Sequence, residues 1–491
     1  MPSSTGRRVM IVGTDGLRPD LFDRTVMPTF ASLIDGGTWI TDYQGVYPTH
    51  TRVQMSSLST GCQPGKHGTV ANVYRYEGLN DDSIMNTSNF RHFYAMDRLT
   101  GGRALRVPTL GDLINQRGKK LALGTSASSG STIIWNRNFP DRIVNVDSAY
   151  DREDLEAFRT RLGSEPPQET PPKVNQVAYV GNAVRELFLD DDEVEVIVMW
   201  LSEPDASLHY YGIGAPETEV AMRACDDALR NVLEGMDERG IRDQFDIIYL
   251  SDHGHSSVSA KRTLAEHLDR AKAANPGLPK MVTASDFIYP DPDAPNPTHA
   301  EIVRLIDWLQ EQPWAGAIFT SAPELASCPG VFPFSSVWGE AVSDRAPLLA
   351  VSPSWSDTAN EFGVPGMVSA MTENAALRST HGSVSPYELH AMAVLNGPSF
   401  RSGADSDIPA CAIDITPTVL TLLGGEPGEW MDGRVLWETM ERPTGEPGNY
   451  RDEVIAPAVR TGNGFEPTLE IHTVGGHRYV HKGLNSRPAG I

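Results

Sequence analysis

Six side chains of the sequence have both the type and the placement of metal ligands. Each follows an apolar run typical of a buried strand or lies in a short loop before one; they are Asp15, Asp205, His209, Asp252, His253 and His381. Ligands collect at the carboxyl ends of strands in open α/β sheets, so these side chains should meet. Aspartate and histidine without cysteine suit zinc or a similar divalent ion in an open, catalytic site. The pattern predicts a metal centre.

These side chains are more than one four-coordinate ion requires. Two ions about 3.5–4 Å apart could share them and clamp the attacking and leaving oxygens of an in-line phosphoryl transfer. Taken singly, each motif has a plainer interpretation: an aspartate after a strand commonly caps a turn or helix, and Asp205 and His209 could be a surface pair. Their joint placement favours the metal centre. His67 and His255 lie near these motifs, and we place them outside the ligand set.

The segment 47–67, YPTHTRVQMSSLSTGCQPGKH, is crowded with hydroxyl groups and contains one thiol. A free hydroxyl is a poor nucleophile at neutral pH and requires activation. A metal ion stabilises a bound alkoxide in the same way that zinc lowers the pKa of bound water from about 16 to about 7. Only a hydroxyl that reaches the metal centre is therefore expected to react.

The elements that would position these residues alternate between strand and helix. Four apolar runs predict buried parallel strands: RRVMIVGTDG, KKLALGTSA, VEVIVMWLSEPD and QFDIIYLSDHG. Helical patterns lie between them, which predicts an α/β fold with a doubly wound, mainly parallel sheet flanked by helices. We expect residues 1–260 and 373–440 to form the catalytic core and 261–372 to form a small inserted α/β cap. Residues 441–491 remain as a C-terminal extension.

Composition restricts the classes of partner. The 491 residues carry a net charge of −23 and no Lys/Arg cluster, which argues against binding to a nucleic-acid polymer. No apolar run reaches the length of a signal peptide or a membrane span, so we expect a cytoplasmic protein without membrane contact. The four cysteines form no CxxC pair, which argues against a disulfide framework and a cysteine-based zinc site. The sequence does not indicate an oligomeric state.

The ordered motifs resemble those of the alkaline phosphatase superfamily, most closely its nucleotide pyrophosphatase/phosphodiesterase branch. They are DGLRPD, YPTHTRVQMSSLSTGCQPGKHGTVAN, PDASLH, SDHG, THG, DITPTVLTLLG and MDGRVL. The family nucleophile is a threonine five residues into the aromatic-Pro segment, which here is Thr51. The resemblance also implies two metal sites: Asp205, His209 and His381 for one, and Asp15, Asp252, His253 and the Thr51 oxygen for the other. Zinc is the expected ion at both, with manganese or iron as alternatives.

Two residues near Thr51 depart from that branch. Gln54 stands where the resemblance implies an asparagine that holds a phosphate oxygen, and Arg52 replaces an aromatic residue that helps to stack a base. We interpret both as substrate-binding residues, although Arg52 could instead pair with an acid of the scaffold. The motif around Cys62 resembles a sulfatase signature, but Cys62 follows the Thr60–Gly61 pair and is out of register. A structural role is expected for this cysteine.

The resemblance implies a metal-dependent phosphohydrolase that cleaves phosphodiester or pyrophosphate bonds through a phospho-threonine intermediate on Thr51. Its substrate would be a small phosphorylated or phosphonate compound. The nearest alternative is phosphomonoester or phosphonate hydrolysis at the same two-metal site, because Arg52 could match an additional negative charge. A metal-binding pseudoenzyme is the non-enzymatic alternative, and the presence of every expected ligand weakens it.

Overall fold

A nine-stranded sheet forms the centre of the computed structural model, which describes residues 6–341, 343–372 and 374–484. Its strands in chain order are Arg8–Asp15, Thr38–Gln44, Lys120–Thr125, Ile143–Asn145, Val194–Pro204, Phe245–Leu250, His390–Asn396, Ala404–Ser406 and Ala410–Cys411. The four runs predicted to be buried parallel strands are all present.

The spatial order of the strands places the predicted ligands together. From one edge the order is Ala404–Ser406, Thr38–Gln44, His390–Asn396, Phe245–Leu250, Arg8–Asp15, Val194–Pro204, Lys120–Thr125 and Ile143–Asn145. The last five run parallel to one another, and His390–Asn396 is antiparallel to both of its neighbours. The mainly parallel sheet is therefore confirmed, and the three strands that precede predicted ligands are adjacent.

Side chains of the central strands alternate between two apolar cores, one on each face of the sheet. Val9 and Ile11 contribute to one core, whereas Met10 and Val12 contribute to the other, as the two-residue period of a strand requires. The first core is covered by helices Thr51–Thr60, Phe90–Thr100, Leu110–Gln116, Ser129–Ile133 and Ile415–Leu422. The second is covered by helices Pro28–Gly36, Val174–Ala183 and Pro216–Glu238. Helices on both faces confirm the doubly wound arrangement.

The segment predicted as an insertion contains a second sheet. Its strands are Met281–Ala284, Phe287–Pro290, Ala315–Thr320, Val331–Pro333 and Leu349–Pro353, and its helices are Leu264–Ala274 and His299–Glu311. These elements enclose an apolar core of their own. Strands Trp355–Ala359 and Pro365–Met371 belong to a different sheet, in which Pro365–Met371 pairs with Ser256–Arg262. The boundaries at 261, 372 and 440 stay a prediction.

The insertion packs directly against the segment that precedes Thr51. The Trp338 indole Nε1 donates a hydrogen bond of 2.9 Å to the backbone oxygen of Tyr47. The Tyr47 ring lies 4.9 Å from the Phe319 ring, centroid to centroid. Because all three rings are buried, the insertion supports the wall of the site from one side.

The C-terminal extension forms a three-stranded antiparallel sheet of Tyr450–Ile455, Thr468–Val474 and His477–Leu484. It is anchored to the core by Tyr479, whose hydroxyl donates to Asp414 (3.2 Å) and accepts from the Arg434 Nε (3.1 Å). The remaining short elements are helices Pro64–His67, Glu153–Thr160, Asp205–Tyr211, Ser335–Trp338 and Pro386–Leu389, and strands Val73–Arg75, Ile84–Asn86 and Ser379–Thr380. Within the described residues, no helix combines the length and apolar character needed to cross a membrane.

Candidate metal centre

Two neighbouring central strands deliver three of the predicted ligands. Strand Arg8–Asp15 ends on Asp15 itself. Strand Val194–Pro204 leads directly into helix Asp205–Tyr211, on which Asp205 and His209 are one turn apart and share a face. The three side chains therefore lie at the carboxyl end of the sheet, as predicted.

The other three ligands come from a neighbouring strand and from a distant segment. Asp252 and His253 follow strand Phe245–Leu250, and the Asp252 Oδ1 accepts a hydrogen bond of 3.1 Å from the Gly16 backbone. His381 lies beyond the insertion, yet its ring stacks on that of His253 with centroids 3.7 Å apart. All six predicted ligands are thus brought together.

One group of ligands surrounds the His253 Nε2 atom. This nitrogen lies 3.4 Å from Asp15 Oδ1, 3.3 Å from Asp252 Oδ2 and 3.2 Å from Thr51 Oγ1. Two ligands on a tetrahedral zinc ion with bonds near 2.0–2.1 Å lie about 3.3–3.4 Å apart. The spacing therefore matches the edges of a tetrahedral site that includes the Thr51 hydroxyl.

A second group surrounds the Asp205 Oδ1 atom. The His209 Nε2 lies 3.3 Å from this oxygen, and the His381 Nε2 lies 3.5 Å from it. Both distances again correspond to the ligand–ligand edge of a tetrahedral ion. The two groups adjoin, because the ligand atoms of Asp205, His253 and His381 all lie within 4.8 Å of one another.

Backbone carbonyl groups fix the orientation of the imidazoles. The Nδ1 atoms bond to carbonyl oxygens in three pairs: His253 with Gly254 (2.9 Å), His381 with Thr49 (2.6 Å) and His209 with Ser379 (2.7 Å). A carbonyl only accepts, so each Nδ1 carries the proton, and the Nε2 atom of a neutral ring then directs its lone pair into the site. This is the tautomer that a metal ligand requires.

The three carboxylates create an electrostatic need for a cation. Burial raises the pKa of Asp15 well above its ordinary value, and the Asp252 and Asp205 carboxylates raise it further. Burial also raises the pKa of Asp252, whereas at Asp205 the imidazoles of His209 and His255 outweigh burial and lower the pKa. Within the described chain, the buried Asp15 Oδ1 and Asp252 Oδ2 atoms have no hydrogen-bond partner. The residues therefore fit divalent cations.

A glycine shapes the floor of this site. Gly13 stands opposite Trp200 on the adjacent strand, and a Cβ atom at this position would approach the indole ring to 2.2 Å. The ring crosses the strand there, and its Nε1 donates a long hydrogen bond of 3.4 Å to Asp15 Oδ2. The glycine of the VGTDG motif thus admits the side chain that orients Asp15.

Thr51 is the first residue of helix Thr51–Thr60, so it lies at the end of the helix that attracts anions. The helix ends at Gly61, whose left-handed backbone (φ 70°) caps it. The helix thus begins at the candidate nucleophile and ends at the Thr60–Gly61 pair of the motif.

The structure gives Gln54 a scaffold contact. Its amide Nε2 donates to the backbone oxygens of Val46 (2.6 Å) and Pro48 (3.1 Å), and its Oε1 accepts from the Val46 N–H (2.8 Å). Both amide hydrogens are therefore engaged, and none remains for a phosphate oxygen. Gln54 instead holds the chain that leads to Thr51.

Arg52 is half-buried and lies close enough to the three carboxylates of the site for each to act on the pKa of its guanidinium group. Burial nevertheless lowers that pKa below its usual range. Its Nε makes a long contact of 3.4 Å with the Thr87 hydroxyl.

Asn72, which the sequence motifs did not single out, accepts from the Arg52 backbone N–H at 3.2 Å and so lies against the start of the Thr51 helix.

His255, which sequence reasoning placed outside the ligand set, contacts one of the predicted ligands. Its Nε2 lies 2.9 Å from Asp205 Oδ1, and its Nδ1 lies 3.1 Å from the Ser379 hydroxyl. The 2.9 Å distance is that of an N–H···O hydrogen bond and is shorter than the ligand edges above. His255 therefore orients Asp205, and its position two residues after His253 was the only signal in the sequence.

Replacement of His255 by alanine is expected to weaken zinc binding by about 10–100-fold, as loss of a partner behind a metal ligand usually does. His255→Gln retains an N–H donor and should recover part of the affinity. Competition with a chromophoric chelator measures zinc affinity, and activity at saturating zinc separates orientation from chemistry. Unchanged zinc affinity in His255→Ala would contradict this positioning role.

A cavity of about 150 Å³ adjoins His381 and is walled by both the core and the insertion. Its lining includes His50, Ser285, Asp286, Ser383 and Glu388. Burial raises the pKa of Asp286 to about 7, and the Glu388 carboxylate contributes to the shift. The insertion therefore places the Asp286 carboxyl group in the cavity beside His381 of the candidate metal centre.

Cys62 is fully buried, and burial raises the pKa of its thiol to about 12. Its sulfur contacts the backbone oxygens of Thr60 and Trp430. A thiol that stays protonated at neutral pH is a poor nucleophile, which agrees with a structural role.

Comparison with known proteins gives consistent matches. The sequence profile "Type I phosphodiesterase / nucleotide pyrophosphatase" matches residues 9–327. Venom phosphodiesterase CdcPDE of Crotalus durissus collilineatus is 24% identical over 256 residues, which are 52% of this chain and 27% of the relative. Bis(5'-adenosyl)-triphosphatase of Bos taurus is 22% identical over 269 residues, 53% of this chain and 50% of the relative. The matches thus span between about a quarter and a half of these relatives.

Solved structures share the fold. Murine ectonucleotide pyrophosphatase/phosphodiesterase 5, as an inactive variant in complex with AMP, superimposes with a TM-score of 0.60 at 18% identity. The superposition covers 89% of this chain and 100% of that chain. The alkaline-phosphatase-like fold predicted from the sequence is confirmed. The chain belongs to the type I phosphodiesterase/nucleotide pyrophosphatase family of the alkaline phosphatase superfamily.

Proposed function

We propose that this protein hydrolyses phosphodiester or pyrophosphate bonds of a small phosphorylated substrate through a phospho-threonine intermediate on Thr51. The observation that carries the proposal is the position of the Thr51 Oγ1, 3.2 Å from His253 Nε2. At that point the hydroxyl completes one of two adjoining Asp/His groups. Relatives named phosphodiesterases and a dinucleoside triphosphatase support this choice of reaction.

The chain supplies a nucleophile and the means to hold it. Thr51 Oγ1 attacks phosphorus, the bond from phosphorus to the leaving oxygen breaks, and the phosphoryl group remains on the threonine. Water then cleaves the Thr51 oxygen–phosphorus bond and restores the hydroxyl, releasing a phosphomonoester from a diester substrate. The in-line path is consistent with Thr51 at the beginning of its helix, where backbone N–H groups face an anion.

Asp15, Asp252, His253 and Thr51 would hold one divalent ion, and Asp205, His209 and His381 would hold the other. When bound, the two ions supply positive charge beside the Thr51 oxygen and the leaving group. Zinc suits these nitrogen and oxygen ligands best, with manganese or iron as alternatives. The cation charge also offsets the three buried carboxylates, which would otherwise repel an anionic substrate.

Initial rates on three nitrophenyl reporters test the proposal: a phosphate diester, a phosphate monoester and a phenylphosphonate monoester. The zinc-loaded protein is expected to prefer the diester or the phenylphosphonate monoester. A preference for the phosphate monoester would assign phosphomonoesterase activity instead. No turnover of any reporter or of a dinucleoside polyphosphate, with zinc bound, would support the pseudoenzyme alternative.

The phosphomonoester alternative rests on Arg52. No ion-pair partner of this guanidinium is found within residues 6–341, 343–372 and 374–484, so it remains available for a substrate oxygen. Asn72 is a further donor on the same side, because its Oδ1 is held by the Arg52 N–H. We propose that these two side chains, rather than Gln54, contact the non-bridging oxygens of the substrate.

Arg52→Met is expected to raise KM by about 10–100-fold, because a hydrogen bond to a charged group contributes about 1.5–3 kcal/mol. The loss should be larger for a dianionic monoester than for a diester. Arg91→Met is the matched control, since Arg91 forms an exposed ion pair with Asp151 and should leave KM unchanged. Equal KM values for Arg52→Met and the wild type would assign Arg52 to the scaffold.

A further inference from the structure

A second cluster of imidazoles lies at the junction between the central sheet and the C-terminal sheet. We call it the junction cluster, and its members are Asp42, His390, His472 and His481. Asp42 lies on strand Thr38–Gln44, and His390 opens strand His390–Asn396 opposite Gln44. His472 and His481 lie on two strands of the C-terminal sheet. The cluster thus joins segments that are far apart in the chain.

Potential ligand atoms of the junction cluster converge. The His390 Nε2 lies 3.1 Å from the His481 Nδ1, and the His472 Nδ1 lies 3.1 Å from Asp42 Oδ2. The His481 Nδ1 lies 3.9 Å from Asp42 Oδ1. The ligand atoms of Asp42, His390 and His481 all lie within 4.8 Å of one another. Ligands on a tetrahedral zinc ion are about 3.3–3.4 Å apart, so small movements would place these three around one ion, with His472 Nδ1 beside Asp42 as the candidate fourth ligand.

Hydrogen bonds leave one buried polar atom beside these residues without a partner in the described part of the chain. Gln44 is fully buried, and its Nε2 lies 2.9 Å from Asp42 Oδ1, 3.2 Å from His472 Nδ1 and 3.1 Å from His481 Nδ1. An amide has two hydrogens for these three neighbours. Its Oε1 has no hydrogen-bond partner in the described part of the chain. Among the described residues, Gln44 Oε1 is therefore a buried acceptor without a donor, which is a group that a neighbouring cation can satisfy.

The charge state of the cluster suits a metal ion. Burial lowers the pKa of His390. Burial, together with the His390 and His472 imidazoles, lowers the pKa of His481 to about 3. Both rings are therefore neutral at physiological pH and carry a free lone pair. At Asp42, hydrogen bonds from His472 and Gln44 outweigh burial and hold the pKa below its ordinary value, so this side chain is a carboxylate.

The outward side of His472 shows a further feature of metal sites. Its Nε2 lies 3.4 Å from the Asp452 carboxylate, while its Nδ1 faces the cluster. Metal-binding histidines commonly bond their second nitrogen to a carboxylate, which fixes the ring and increases ligand basicity. Asp452 belongs to the neighbouring strand Tyr450–Ile455, opposite His472 in register.

We propose that the junction cluster binds a divalent transition-metal ion, separate from the candidate catalytic centre, and that this ion holds the C-terminal sheet against the core. Three imidazole nitrogens and one carboxylate oxygen match four-coordinate zinc, whereas magnesium and calcium prefer sites made of oxygen alone. Four protein ligands leave no position for substrate, so the ion is structural. The inference does not depend on the proposed hydrolase activity.

The test counts zinc in the full chain prepared without a histidine tag, loaded with zinc and dialysed. The double variant His390→Gln/His481→Gln should contain one equivalent less than the wild type, while hydrolysis of the nitrophenyl reporters is unchanged. The zinc-induced rise in melting temperature should also be smaller in this variant. His299→Gln, on the surface helix His299–Glu311, serves as the matched control.

A cobalt titration gives a second measurement that does not depend on the folding of the double variant. We expect one equivalent of cobalt to give a tetrahedral spectrum. This equivalent should persist in His253→Ala, in which the candidate catalytic groups are disrupted. Equal zinc content in the double variant and the wild type would overturn the proposal. So would a cobalt titration of His253→Ala that shows no tetrahedral equivalent.

Discussion

Thr51→Ala is expected to lower kcat/KM by roughly 10⁴–10⁶-fold, the range seen when a nucleophile is removed from an enzyme that retains its binding groups. The physical reason is that Thr51 Oγ1 lies 3.2 Å from His253 Nε2, which is grouped with Asp15 and Asp252. The proposed mechanism assigns the phosphoryl group to this hydroxyl, so its removal should stop the reaction. Rates on the best of the three nitrophenyl reporters, with zinc content measured in parallel, give the result.

The controls separate the loss of the nucleophile from damage to the helix. Thr51→Ser keeps a hydroxyl at the same place and should retain part of the activity. Ser59→Ala removes a hydroxyl from the same buried helix, where it bonds only to the Ser56 carbonyl, and should be close to the wild type. Substantial turnover by Thr51→Ala with zinc bound would exclude the phospho-threonine intermediate.

His253→Ala is expected to abolish tight zinc binding at the candidate catalytic centre and to reduce turnover by ~10³-fold or more, the upper range for loss of a single electrostatic contact in a catalytic site. His253 contacts Asp15, Asp252 and Thr51 through one nitrogen, and its ring stacks on His381. One substitution therefore disturbs both groups. Zinc stabilisation of the fold, about 4 kcal/mol when zinc is 1,000-fold above its Kd, should shrink accordingly.

Thermal unfolding with zinc and with chelator measures this effect. The wild type should lose stability on chelation, and His253→Ala should respond far less. His267→Ala is the matched control, because His267 packs against Trp314 in the insertion and should keep the zinc response. An unchanged zinc response in His253→Ala would show that the ions, if bound, do not use this histidine.

Much of the fold was predictable because buried parallel strands are continuous apolar runs. The runs that contain Val9–Val12 and Ile247–Leu250 are buried on both faces and carry almost no polar residue. Ligands placed directly after such strands must lie at the same end of the sheet, so Asp15, Asp252 and His253 could be located without a structure. His381 lies in a loop before a strand, and the insertion separates it from the other ligands, so strand order alone did not place it beside them.

The residues that sequence reasoning missed, or to which it gave another role, depend on side-chain direction and on distant packing. Gln54 and Asn72 are both amides near Thr51. Only the path of the 46–48 backbone shows that Gln54 is occupied there and that Asn72 lies beside the Arg52 N–H. The junction cluster involves positions 42, 390, 472 and 481, and no local pattern connects them. Such contacts follow from strand pairing, which the sequence does not display.

The residues that flank the predicted insertion lie side by side, because Ser257 pairs with Ser379 in an antiparallel bridge. The chain thus leaves the core and returns to it at almost the same point. Segments joined in this way can be lengthened, shortened or exchanged without stretching the surrounding structure. Evolution could therefore vary the insertion, which carries Asp286 into the cavity lining, while Thr51 and the candidate metal ligands keep their geometry. New specificity would then arise by recombination of this segment alone.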